Sequence, residues 1–246
     1  MANVQQRVAS DMANVQQRVV SDMVNVQPIC QFYNKQFHFA TLYNRDHRAP
    51  LYSAYILKTA HQPDQRPPNP TWYYETQLAN SNGEQSMKPF PVNDQNVRES
   101  QAMDEDYATA SLHTRGHLNA AGHQKTVDDV EATFTLTNIV PQRLGSNNGP
   151  WNVLENEVLG RLAHCTGEMY VITGAIPYKT ESEFKKHWLK DKDGKDRVAI
   201  PEYMWSAYCC PNHTPNTQFF PTYAAVGRND PDSNNDTGQR IQCAGE

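Results

Sequence analysis

Thr114-Arg115-Gly116-His117-Leu118-Asn119 opens the stretch on which the fold turns. It continues through Ala132-Thr133-Phe134-Thr135-Leu136-Thr137-Asn138-Ile139-Val140-Pro141-Gln142 and closes on Asn147-Asn148-Gly149-Pro150-Trp151 and Glu155. An arginine and a histidine flank a glycine; an apolar, β-rich segment follows, then an asparagine-rich turn and a helix. Thr133–Thr137 alternates polar and apolar residues, which predicts a strand. Trp151, Leu154, Val158 and Leu162 recur at three- and four-residue intervals, which predicts a helix over Trp151–His164 with one buried face. Between the two halves, Val127–Ala132 is charged and reads as loop.

Upstream, Phe37–Tyr43 and Leu51–Leu57 alternate like strands and flank a turn at Asp46–Pro50, which predicts a hairpin. Gln62–Pro70 holds four prolines and reads as a surface loop. Trp72–Glu75 reads as a short strand or turn, and Asn80–Glu105 as polar surface chain with a short helix within Asn93–Ala102. Downstream, Met169–Ala175 is a buried strand, Phe184–Leu189 a helical turn, and Tyr203–Cys210 an aromatic strand. Lys190–Arg197, with Gly194 at its tip, joins two strands. Strands and helices mix without a βαβ rhythm. The expected class is therefore α+β: a mixed or antiparallel sheet core with flanking helices and long loops.

Residues 1–27 repeat with a period of eleven: MANVQQRVASD, MANVQQRVVSD, then a third copy beginning at Met23. Met1, Val4, Val8, Met12, Val15, Val19, Met23 and Val26 make one stripe on a helix, and this period favours a right-handed supercoil on pairing. The tract is a candidate for self-association. Its alternative is a solvated product of tandem duplication, since Val, Asn and Asp are mediocre helix formers. Pro28 is expected to end the helix. The resulting organisation is an extension over 1–28, a globular domain over 29–228 and a polar tail over 229–246.

The net charge of −5 removes the direct argument for nucleic acid that a strongly basic chain makes, yet a local basic cleft survives an acidic total. Twelve Tyr, eight Phe and four Trp supply a core that a 38% hydrophobic chain otherwise lacks. Cys30, Cys165, Cys209, Cys210 and Cys243 fit no zinc spacing. They are either buried thiols or two disulfides and an odd thiol of a secreted protein. Asn212-His213-Thr214 and Asn235-Asp236-Thr237 match the glycosylation triplet. No apolar run approaches the ~20 residues of a membrane span, and no charged start with an apolar core marks a signal peptide.

The central stretch carries what phosphodiester hydrolysis needs: a base for water, a cation on the phosphate oxygens and a clamp. His117 has an unperturbed pKa near ~6.5 and accepts a proton at neutral pH. Arg115 offers a fork for phosphate or a carboxylate, and Gly116 permits a sharp turn or a close approach. Asn138 and Asn147 offer amide oxygens, and Glu155 a carboxylate on the first helical turn. Mg²⁺ keeps most of its waters, so one amide oxygen and a carboxylate behind those waters suffice to hold it. Taken singly each residue has a plainer explanation: Asn147 and Asn148 as turn formers, Glu155 as a favourable charge at a helix N-terminus.

Taken together, R-G-H-L, T-F-T-L-T-N-I-V-P-Q and N-x-x-x-W-x-x-x-E resemble the DNA/RNA non-specific endonucleases of the ββα-metal type, most nearly the endonuclease domain-containing 1 branch. The likeness covers roughly Ile29 to Gly227. It implies a ββα-metal motif, His117 as general base, Arg115 as the motif arginine, Asn147 as ligand of Mg²⁺ (or Mn²⁺ or another divalent ion), Glu155 as support for the metal's waters and Asn138 near phosphate and metal. It further implies DNA and RNA as substrates, 5′-phosphate products and secretion. Two departures stand out. Thr114 replaces the acid of the commoner D-R-G-H, and the part after about Gly227 is shortened, which is expected to leave apolar surface uncovered. A catalytically weak or inactive binding protein on the same fold is the alternative.

Overall fold

Alternation of inward and outward side chains builds the largest element, a six-stranded sheet in the order β1-β2-β3-β8-β11-β12 with every neighbour antiparallel. The computed structural model describes residues 25–57, 67–108, 110–213 and 221–230. Its strands are β1 (Val26–Tyr33), β2 (Gln36–Asn44), β3 (Ala49–Leu57), β4 (Tyr73–Tyr74), β5 (Lys88–Pro89), β6 (His113–His117), β7 (Ile139–Arg143), β8 (Met169–Pro177), β9 (Trp188–Lys190), β10 (Asp196–Ala199), β11 (Pro201–Cys209) and β12 (Thr222–Arg228). The repeat through residue 24, the second glycosylation triplet, Cys243 and the tail from 231 lie outside the described residues, as does Thr214 of the first triplet.

The inner face of the sheet is lined by Phe39, Tyr55, Leu57, Val171 and Tyr208. These pack against Val158 and Leu162 of the helix Asn152–Arg161 and the short turn after it. Across the same face runs a row of hydroxyls in register, Thr41–Ser53–Thr173–Ser206, all buried and bonded in pairs at 3.0 Å. The outer face carries Ile56, Tyr170, Ile172 and Ile176, all exposed. Apolar side chains thus stand exposed on the two central strands, β3 and β8. The class is α+β, and the two-stranded ribbon β6–β7 packs on the inner face.

Several local expectations are corrected. Pro28 does not end a helix: it lies inside β1, opposite Leu42, on an edge strand where a missing N–H is tolerated. Val127–Ala132 is a helix rather than a loop. The Thr126 hydroxyl accepts from the Asp129 amide as its cap, and Asp128 and Asp129 sit favourably in its first turn. Thr133–Thr137 is not a strand. The Thr133 hydroxyl bonds back to the Val130 carbonyl and the Asn138 amide to the Thr135 carbonyl, so the segment turns, and extended chain begins at Ile139. Phe184–Leu189 divides into the end of a helix, Glu181–Phe184, and the start of β9. The β9–β10 hairpin bears out the Lys190–Arg197 connection, with Gly194 at φ +77. Cys165 and Cys210 form a disulfide, whereas Cys30 and Cys209 are free and exposed.

Candidate active site

The centre starts with β6, a strand the sequence reading did not assign. It pairs with β7 so that Thr114 faces Gln142 and Gly116 faces Val140. The Gln142 side chain crosses directly over Gly116: a Cβ there would lie 2.3 Å from Gln142 Oε1 and 2.6 Å from Gln142 Cβ. Glycine is thus required for this crossing, not for a turn or an approach to substrate. Period-two geometry then sends Arg115 and His117 to one side of the ribbon.

His117 is wedged between aromatic rings, 5.8 Å from Trp72 and 5.1 Å edge-on to Phe134 between centroids. Two such neighbours restrict the imidazole to one plane. Arg115 lies over the same Trp72 at 5.0 Å and over Tyr107 at 5.4 Å. One of its terminal nitrogens donates to the Asp104 carboxylate at 2.6 Å and to the Asp104 carbonyl at 3.1 Å. Trp72 therefore seats both predicted residues. No motif marks it in the sequence, because an isolated tryptophan before a short strand reads as core.

After β7 the chain makes a wide helical turn over Asn147–Trp151, broken at Gly149 (φ −109, ψ −115), and enters the helix Asn152–Arg161. Trp151 is buried with Leu118, Val140 and Met204 and pins the turn to the ribbon and the sheet. Asn147 is half-buried, and its Nδ2 donates to Thr114 Oγ1 at 2.8 Å. Glu155 lies in the first turn of the helix. Its backbone carbonyl accepts from His123 Nε2 at 2.9 Å, and the Tyr55 hydroxyl meets His123 Nδ1 at 2.7 Å. A carbonyl only accepts, so Nε2 carries the proton and Nδ1 accepts from Tyr55. The sheet thereby holds the turn that bears Glu155.

Arg115, His117, Asn147, Asn148, Asn152 and Glu155 line one cleft of about 470 Å³, closed on one side by the Ala120–Gly122 loop. Four of the five residues singled out by sequence meet there. Asn138 does not. It is fully buried, and all four of its side-chain bonding positions are filled: Oδ1 accepts from Ser53 Oγ at 2.8 Å and the Asn119 amide at 2.9 Å, and Nδ2 donates to the Asn119 and Thr133 carbonyls, both at 3.0 Å. It braces the chain that leaves His117. Behind it, Gln31, Thr135 and Thr137 extend a buried polar network to Glu75, whose carboxyl is pushed up to about 7 by burial, partly offset by bonds from Thr135 and Thr137.

Among the described residues no three His, Cys, Asp or Glu side chains converge on a common point. A divalent ion in this cleft would rest on the Asn147 amide oxygen, the Glu155 carboxylate and its own waters. That oxygen-only set fits Mg²⁺ or Mn²⁺ and disfavours zinc.

The family model for DNA/RNA non-specific endonucleases matches residues 20–244. The human endonuclease domain-containing 1 protein is 32% identical over 190 residues, covering 74% of this chain and 34% of its own length. The human mitochondrial nuclease EXOG is 33% identical over 106 residues, 42% of this chain and 28% of its own. The chain thus spans about a third of the length of the curated relatives it matches. Among solved structures, the crystal structure of an EndoG/EndoGI complex superposes with a TM-score of 0.56 at 19% identity, covering 85% of this chain and 75% of that one, a likeness of fold.

Proposed function

From the premise that this chain belongs to the DNA/RNA non-specific endonuclease family, we propose that its cleft hydrolyses phosphodiester bonds of DNA and RNA with one divalent cation, Mg²⁺ by preference. The observation that carries this reading is the convergence of Arg115, His117, Asn147 and Glu155 on a single cleft from three separate elements.

His117 takes a proton from water as the water oxygen attacks phosphorus; the P–O3′ bond breaks to leave a 5′-phosphate and an O3′ alkoxide, which takes a proton from solvent to become the 3′-hydroxyl. Its wedge between Trp72 and Phe134 supplies orientation, which is where positioned bases gain most of their advantage. Arg115, tethered to Asp104, holds a fixed positive charge towards the phosphate. Asn147 Oδ1 would hold the cation with Glu155 behind its waters, and the cation would supply charge neutralisation at the phosphate. Contacts restricted to phosphate and metal carry no base identity, which suits cleavage of either nucleic acid.

The nuclease domain is proposed over 29–228, with its first strand reaching back to Val26, the repeat of 1–27 as a candidate for self-association and 229–246 as a polar tail. The Cys165–Cys210 disulfide supports an oxidising compartment and secretion.

The reading is tested on plasmid DNA and on RNA with Mg²⁺, with a chelator, and with His117→Ala. Wild type cleaves both substrates, the chelator stops cleavage, and the variant loses about 100-fold or more. Full cleavage with a chelator, or by the variant, refutes it. A correctly folded wild type that cleaves neither substrate favours a binding protein on this fold.

A further inference from the structure

Thr114 stands where the commoner motif has an acid, and it touches Asn147, one of three asparagines that line the cleft. We propose that Thr114 is a positioning residue that fixes which end of the Asn147 amide is presented to a divalent cation. The inference rests on the nuclease reading only for the use made of that cation.

The argument follows the protons. Thr114 Oγ1 lies 3.2 Å from the Gln142 carbonyl and 2.8 Å from Asn147 Nδ2. A carbonyl oxygen only accepts, so the single hydroxyl proton of Thr114 goes to Gln142. What Oγ1 then turns towards Asn147 is lone pairs, and only the NH₂ end of the amide satisfies them. Asn147 Oδ1 is left to face the cleft that Glu155 also lines. A hard cation binds oxygen and is repelled by an NH₂ group, so the same asparagine turned over would be no ligand. The terminal acceptor decides the direction of the whole relay.

The relay is anchored at its far end by the ribbon. Thr114 and Gln142 are paired residues of β6 and β7, and the pairing is kept close because Gly116 lets the Gln142 side chain cross it. Gly116 thereby contributes to metal geometry two residues away without touching the cleft chemistry. An acid at position 114 would also accept from Asn147, but when ionised it has no proton for the Gln142 carbonyl. Threonine performs the orientation with no charge.

The test is Mn²⁺ binding to the full chain, followed by calorimetry and electron paramagnetic resonance, for wild type, Thr114→Ser, Thr114→Val, Asn147→Ala and the Thr114→Val/Asn147→Ala pair. Serine keeps the hydroxyl and binds within about threefold of wild type. Valine keeps the shape but loses the acceptor, and binding weakens about tenfold or more, the range for groups that orient a metal ligand. The pair binds no more weakly than Asn147→Ala alone, because the two substitutions remove one interaction. Melting temperatures identify a variant that merely unfolds, and serine against valine separates orientation from packing. Wild-type affinity in a folded Thr114→Val, strictly additive losses in the pair, or no Mn²⁺ binding by wild type each overturns the proposal. If the binding pattern holds but no variant cleaves nucleic acid, the nuclease reading fails while the orientation stands.

Discussion

Asn138 and Asn147 are nine residues apart on either side of β7, and they do opposite work. Asn138 lies in the buried floor with every bonding position of its amide occupied, two of them by the backbone of Asn119. Asn147 lines the cleft with its NH₂ end held by Thr114. A second pair repeats the contrast. Glu75 is a carboxyl buried among threonines, whereas Glu155 faces the cleft from the start of a helix. The floor spends its polar groups on one another and gains rigidity. The cleft instead presents polar side chains to an open space. Identical residue types therefore divide into scaffold and candidate site by whether the fold buries them among partners or sets them along the cleft.

The sharpest way to break this contrast is to remove each asparagine in turn. Asn147→Ala is expected to lower Mg²⁺-dependent cleavage by about 100-fold or more while the melting temperature stays within ~2 °C, measured by plasmid nicking and thermal unfolding. Asn138→Ala should show the reverse. It leaves the Asn119 amide and carbonyl, the Thr133 carbonyl and the Ser53 hydroxyl short of a partner, and about 3 kcal/mol or more is lost. For a chain of this size that is a fall of roughly 6–12 °C. Its cleavage, measured well below the new melting temperature, should drop far less than that of Asn147→Ala. Matching profiles for the two variants would erase the distinction between floor and cleft.

A smaller effect separates the two carboxylates. Burial raises Glu75 to about 7 in the folded state, from an ordinary value of 4.5. Between those two values the folded chain holds the proton that the unfolded chain has lost, so stability falls as pH rises through that window and stays low above it. Glu75→Gln removes the ionisation. It should be worth about 1–3 kcal/mol more, relative to wild type, at pH 8 than at pH 5. Denaturant titrations at the two pH values check this; a substitution effect independent of pH would show that Glu75 is ionised throughout.

Much of the sheet was legible because β2, β3, β8 and β11 alternate over their middle residues. β6 was not, because His113-Thr114-Arg115-Gly116-His117 has no apolar side to alternate: one side serves the cleft and the other serves β7 and Asn147. The helix Val127–Ala132 was missed for a related reason, since its signal is a threonine cap and acidic first turn rather than an apolar stripe. At the site, the spacing of Asn147, Trp151 and Glu155 was readable because one helical entry sets it, with Trp151 as the buried pin. The location of Asn138 was not, because a motif asparagine looks the same whether its partners are protein or ligand. The contacts of Trp72, Thr114 and His123 were not readable because they join residues more than 30 apart.

The central claim is that the cleft holds one divalent ion on the Asn147 oxygen. Diffraction from crystals soaked in Mn²⁺, with data collected at the manganese edge, tests it most directly. The account predicts a single anomalous peak about 2.0–2.2 Å from Asn147 Oδ1, on the side of the cleft shared with Glu155. A peak elsewhere in the molecule with none beside Asn147, or a peak beside the amide nitrogen held by Thr114, would contradict it.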